Sequence, residues 1–212
     1  MKIDSKKPLP DHTRLDYDEC CALLILKELF PERYYDLKIA DKPDLQCEKI
    51  GVEVTIASDR KHQEALNNWV KANYCEDKNK KQKYVDRMSQ LGVKYTGGMQ
   101  TWPGQVPSFK EVRTAVNLKV EKLRKGNYSK CEVYELFIFT DTWMHEDIVQ
   151  EAKEYFDFNN IFDFYRKIYI LEKNYLLFCF EKDNIERIEI DTIEQTDRNI
   201  RARQMVELAE RE

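Results

Sequence analysis

The segment Ile50–Ala57, IGVEVTIA, constrains this chain more than any other stretch. Read with period two, Val52, Val54 and Ile56 point one way, and Glu53, Thr55 and Ala57 point the other. The first face is apolar and suits a helix packed on it. The second carries a carboxylate within a strand that otherwise reads as buried, and a buried carboxylate needs a partner. Upstream, Pro43-Asp44 ends one extended segment and turns into another, and Lys49-Ile50-Gly51 marks a tight turn before the strand. Asp44 and Glu53 therefore stand on the two arms of an expected hairpin, a cradle for a hard cation such as Mg²⁺.

On either side the chain reads as α/β. A helix is expected from Asp16 or Asp18, either of which serves as N-cap, to Phe30, where Pro31 stops it. At about 100° per residue, Ala22, Leu23, Leu26 and Phe30 form one stripe, with Glu19 in its middle and Glu28 opposite. Glu19 reads either as a dipole-favoured acid of the first turn or as a third acid facing the sheet. Strands are expected at Tyr34–Ala40, Asp44–Cys47 and Ile50–Ala57, followed by a charge-dense helical region over residues 60–91. Its run KNKKQKYVDR, with Lys80 and Lys81, reads as a solvated helix face or as a phosphate-tracking surface interleaved with Tyr74 and Tyr84. The Gly- and Pro-rich stretch Tyr95–Ser108 is expected to lack regular structure. Trp102 within it would stack on a base or plug the core.

Ser108 and Glu111 form a capping-box pattern that opens a helix running to Lys125, closed by Gly126-Asn127. Val112, Ala115, Val116 and Leu123 share one stripe. Lys119 projects from its centre and Lys122 from its edge. A core-facing ammonium is costly unless an acid meets it or its stem carries it out to water, so Lys119 requires a partner. Lys122, Arg124 and Lys125 read as a wet face. Beyond lie a buried strand at Val133–Thr140, a helix near Glu146–Phe156 and a hairpin of Lys167–Leu171 with Tyr175–Phe180. A short strand at Arg187–Asp191 and a charged helix over residues 194–211 complete the chain. That helix carries only a thin apolar line (Ile200, Val206, Leu208) and is expected as a docked arm or an oligomer contact.

With 212 residues, 35% of them charged and 12% aromatic, the chain has the composition of a globular protein. Residues 1–15 read as a polar tail, 16–192 as a single α/β domain and 193–212 as the charged C-terminal helix. A net charge of −4 argues against wholesale coating by nucleic acid and leaves a local basic patch open. No signal-peptide pattern and no apolar run of roughly 20 residues is present, so a cytoplasmic location and no membrane partner are expected. The six cysteines show no C-x-x-C spacing and the three histidines lie far apart, which speaks against structural zinc.

The hairpin residues resemble the core of the PD-(D/E)xK nuclease superfamily, in which a Pro-Asp on one strand precedes a Glu-x-Lys on the next. Here Pro43-Asp44 supplies the first part and Glu53-Val54-Thr55 the second, with Thr55 where the family has lysine. The resemblance is to bacterial members with D-x-P-D, then G-(I/V)-E-V-T, then K-x-x-K on a helix. Asp41-Lys42-Pro43-Asp44, Gly51-Val52-Glu53-Val54-Thr55 and Lys119-Val120-Glu121-Lys122 are those parts. It implies a restriction-endonuclease-like core with a central mixed sheet flanked by helices, plus the C-terminal helical arm. It implies Mg²⁺ (or Mn²⁺) held by Asp44, Glu53 and the carbonyl of Val54, with Glu19 reaching the ion directly or through water. Lys119 would take the place of the lysine that Thr55 replaces, and Lys122, Trp102, Lys80 and Lys81 would contact nucleic acid. The implied activity is hydrolysis of phosphodiester bonds, in DNA first, in defence or restriction, with a homodimer as a candidate assembly. The alternative is a nuclease-like module that binds nucleic acid or protein without catalysis.

Overall fold

Asp16 starts the first helix: its side chain accepts the N–H groups of Asp18 at 2.8 Å and Glu19 at 3.2 Å, satisfying donors that have no partner within the helix. We describe a computed structural model, which covers residues 8–10, 12–96, 99–102, 107–126, 128–173 and 175–211. The element order is α1 (Tyr17–Leu29), α2 (Pro31–Tyr34), β1 (Lys38–Ile39), β2 (Leu45–Gln46), β3 (Ile50–Ala57), α3 (Arg60–Tyr74) and α4 (Lys78–Gln90). There follow β4 (Lys94–Thr96), β5 (Met99–Thr101), α5 (Lys110–Arg124), β6 (Val133–Thr140) and α6 (Glu146–Phe158). After a 3₁₀ turn at Ile161–Asp163 come β7 (Lys167–Glu172), β8 (Leu176–Glu181), β9 (Asn184–Glu189) and α7 (Thr192–Ala209).

Seven strands form one mixed sheet in the order β1-β2-β3-β6-β7-β8-β9. β3, β6 and β7 run parallel and the other neighbours antiparallel. The register sets Glu53 beside Leu136 and Leu136 beside Ile168, so these three share a face. That face packs on α5 and α6 through Val112, Val116, Ile148 and Phe156. Val52, Val54, Phe137 and Tyr169 line the other face, against Ala22, Ile25 and Leu26 of α1. The α/β class is thus as the pattern implied, while of the expected apolar face Val52 and Val54 are buried and Ile56 is exposed.

Two compact units emerge. One joins Thr13–Ala57 with Pro107–Glu212 and contains the seven-stranded sheet; the other is built around Ser58–Val106. Within the second, α3 and α4 bury Ala65, Met88, Leu91 and Val93 and are tied by Arg87 to Glu64 at 2.6 Å. The C-terminal helix belongs to the first unit and covers α1. The Glu28 carboxylate, on the face of α1 away from the sheet, accepts from buried Arg198 at 2.7 Å and from Arg201. Among the described residues no helix is long and apolar enough to cross a membrane.

Several expectations need correction. Tyr34–Ala40 is not one strand: Pro31 opens α2, and only Lys38–Ile39 pairs in the sheet. Tyr34 is instead committed to a buried cluster, its hydroxyl donating to Glu135 and lying 2.6 Å from that of Tyr169, while Arg33 also reaches Glu135. The stretch from Tyr95 contains a two-stranded hairpin, β4 against β5, with Thr96 paired to Met99. Gly97-Gly98, Pro103–Val106 and, elsewhere, the expected cap Asn127 and the hairpin-turn residue Asn174 lie outside the described residues, as does most of the N-terminal tail. Ser108 makes no capping box; its Oγ accepts the Lys110 N–H at 3.1 Å, and α5 begins without a side-chain cap. On α7 the buried residues are Gln195, Arg198, Ala202 and Val206, while Ile200 and Leu208 are exposed.

Gly51 is where the hairpin tolerates no side chain. A Cβ there would stand 2.4 Å from Pro43 Cγ and 3.0 Å from Cys131 Sγ. Gly51→Ala is expected to lower stability by about 1–3 kcal/mol, the usual range for overpacking, measurable by urea denaturation.

Candidate active site

β2 and β3 pair Leu45 with Val52 and Gln46 with Gly51, so the register continued by one residue sets Asp44 opposite Glu53. Residues opposite one another in an antiparallel pair carry their side chains on the same face. The ladder ends here, because Pro43 has no N–H to continue it. The Val54 N–H donates instead to Asp44 Oδ2 at 2.7 Å, which fixes that carboxylate. The N–H and C=O of one strand residue leave by the same edge, so the Val54 carbonyl also opens on the Asp44 side.

α5 supplies the cation. Val112, Ala115, Val116 and Val120 bury its inner face, and Lys119 sits among them. Its Nζ donates to Glu53 Oε2 at 2.6 Å and to Asp44 Oδ2 at 3.0 Å. Lys119 is 7% exposed and Glu53 2%. Burial on its own would lower the lysine pKa, but Glu53 and then Asp44 outweigh it and hold the ammonium above its ordinary value. The partner that the sequence demanded for Lys119 is the acid pair itself.

A cleft of ≈ 800 Å³ opens over this triad. Glu19 and Asp16 of the α1 start line it, together with Arg14, Lys42, Lys122, Lys125 and Tyr128. Arg14 is held in place by donating to the Ala209 carbonyl at 3.2 Å. The Glu19 carboxyl is pushed up to about 7, first by burial, then by Asp44 and Asp16. The Tyr128 hydroxyl is raised by burial and by Glu53, to which it donates. Tyr128 also packs edge-on against Tyr134, whose hydroxyl bonds the Ser129 carbonyl at 2.6 Å and fixes that loop. The hydroxyl of Tyr165, fully buried, has no hydrogen-bond partner among the described residues; it feels burial first, then the charge of Glu53.

The structure therefore brings together Asp44, Glu53 and Lys119, with Val54, Glu19 and Lys122 around them. Thr55 is half-buried on β3 and is not among the described residues lining the cleft. Lys80 and Lys81 are exposed on α4 of the other unit. Trp102, also of that unit, packs on the Ala65–Met88 core with its ring 5.6 Å from that of His62, which is the plug reading of this residue. Sequence reasoning missed Tyr128 and Arg14, which sit in connecting segments where no periodicity marks a side chain's direction. Among the described residues no three His, Cys, Asp or Glu side chains converge closely enough to hold a metal ion by themselves. Asp44 and Glu53 converge as a pair, with a backbone carbonyl beside them. Comparison with family models, curated proteins and solved structures finds no match for the chain.

The raised Glu19 pKa carries a definite sign. Between 4.5 and about 7 the folded protein holds a proton that the unfolded chain has released, so stability falls as pH rises through that window. Glu19→Gln is expected to flatten this part of the pH profile and to melt higher than the parent at pH above about 7, as thermal unfolding across pH will measure.

Proposed function

We propose that this chain is a metal-dependent nuclease with a restriction-endonuclease-like core, hydrolysing phosphodiester bonds of nucleic acid, DNA in first place. The observation that carries the reading is the meeting of Asp44, Glu53 and Lys119 on the floor of a cleft rimmed by lysines. The order of elements supports it: α1, the meander β1–β3, then α5 and a strand β6 parallel to β3, as the PD-(D/E)xK resemblance implies. Against the net charge of −4 stand Arg14, Lys42, Lys122 and Lys125, which line the same cleft as Asp16, Glu19 and Asp41.

The residues present suit a hard divalent cation on two grounds. The available donors are oxygens (two carboxylates, the Val54 carbonyl and the Glu19 carboxyl), and an ammonium already stands as a stand-in ion between Asp44 and Glu53. Mg²⁺ held there would polarise a phosphoryl oxygen and acidify a bound water. The protein's own groups do the rest. Asp44 is oriented by the Val54 N–H and Glu53 by its place on a central strand. Lys119 supplies positive charge where the scissile phosphate gathers negative charge in the transition state. Lys122 and Lys125, exposed at the rim, neutralise phosphates on either side of the scissile bond.

The test is cleavage of duplex and single-stranded DNA with Mg²⁺ or Mn²⁺, expected to stop on chelation. Asp44→Asn, Glu53→Gln and Lys119→Ala are each expected to slow cleavage by on the order of 10²-fold or more. A Lys119→Ala protein that cuts as fast as the parent removes Lys119 from the mechanism. Salt-sensitive DNA binding with no cleavage under either metal makes the chain a nuclease-like binding module instead. In either case Lys122→Ala or Lys125→Ala should weaken binding across sequences and reduce the salt slope by about one each, read by fluorescence anisotropy over a salt series.

A further inference from the structure

Lys119 stands where a cation between Asp44 and Glu53 would stand, and we infer that it is the resident counter-ion of the metal-free site, expelled into the cleft when a divalent cation binds. The inference rests on the nuclease reading and specifies one event in it: a single exchange both loads the metal and frees the lysine for the phosphate.

Competition follows from the geometry. Among the described residues, Lys119 is the cation in ion-pair contact with these two acids, at 2.6 and 3.0 Å. The oxygens it touches are the ones a metal would need. Asp44 Oδ2 already accepts from the Val54 N–H, and Glu53 also accepts from Tyr128. A magnesium ion binds oxygen at about 2.1 Å and repels an ammonium on the same lone pairs. One of the two must leave.

Lys119 has somewhere to go. Its side chain lines the cleft along with Lys122, three residues on and therefore on the neighbouring part of the helix surface. Its stem is flexible and its ammonium a compact, strongly hydrated charge, so release from the acids needs no shift of α5. Released, it joins Lys122 and Lys125 on the side from which a phosphate enters. Without metal, the two acids share one ammonium and the lysine is withheld from the phosphate; with metal, the acids hold the ion and the lysine is free. The buried cluster on the opposite sheet face lacks this property, since fully buried Glu135 is held by Arg33 and by Tyr34, whose hydroxyl also meets that of Tyr169.

The experiment measures Mn²⁺ binding by calorimetry without nucleic acid, for the parent, Lys119→Met and Lys122→Met. The expected result is that Lys119→Met binds Mn²⁺ on the order of tenfold more tightly than the parent. Lys122→Met, which removes the same charge without touching the acids, should change affinity by about twofold or less. Equal or weaker binding by Lys119→Met overturns the inference and leaves the nuclease reading standing. Binding by Lys119→Met but not by the parent overturns the exchange, because the native lysine is then not displaced by the ion. No binding by either overturns the nuclease reading, and the inference with it. Should Lys119→Met fail to fold, amine acylation of the unaltered protein, mapped by mass spectrometry, settles the matter. Lys119 labelling should rise severalfold at saturating Mn²⁺ while Lys122 labelling stays level; unchanged Lys119 labelling overturns the exchange.

Discussion

An ammonium shut in with two carboxylates organises the larger unit. Taking such charges out of water costs several kcal/mol per ion, and attraction repays that only where geometry is close and the remaining lone pairs are used. Here they are: Lys119 bonds both acids, Val54 holds Asp44 and Tyr128 reaches Glu53. Removing one member leaves the others uncompensated, which in comparable buried pairs costs about 3–5 kcal/mol. The position of α5 over β3, the start of β2 after Pro43 and the start of α1 beside the cleft are all compatible with that one contact.

The sheet carries buried charge on both faces and treats it differently. Glu135 is itself fully buried and is bonded by Arg33 and Tyr34, with Tyr169 bonding Tyr34 in turn. That cluster is a means of packing a polar residue. Glu53 is as deeply placed, yet its partners line an open cleft with lysines at the edge. Burial beside access is the arrangement in which electrostatics can act on a bound molecule.

Much of this was legible in the residues, and for a physical reason. Period-two alternation in IGVEVTIA reports which side chains face the core, so the burial of Val52, Val54 and Glu53 could be read directly. The stripe on α5 did the same for Lys119, and a buried ammonium calls for an acid. Joining the two needed only the resemblance to pair a hairpin with a helix. What escaped reading depended on long-range partners. Tyr34 reads as a strand former, but a bond to Glu135, 101 positions away, holds it in a helical turn. Arg198 and Arg201 look like solvated charges until Glu28 of α1 is set beside them. The β4–β5 pairing is short and lies in a stretch whose Gly and Pro content reads as loop, so only the cross-strand partners reveal it.

The chain interrupts its own site. Glu53 and Lys119 lie 66 positions apart, and most of the intervening sequence folds into the compact unit around Ser58–Val106. With α3 and α4 folded, such an insertion leaves fewer loose residues between β3 and α5 than its length suggests. The entropy of closing the ring is then set by the few residues left loose, growing only with the logarithm of their number. Until that ring closes Glu53 lacks its ammonium, and burying β3 alone would cost either a lone charge or the uptake of a proton. The inner strand and α5 are thereby tied energetically, since each buries a charge that the other compensates.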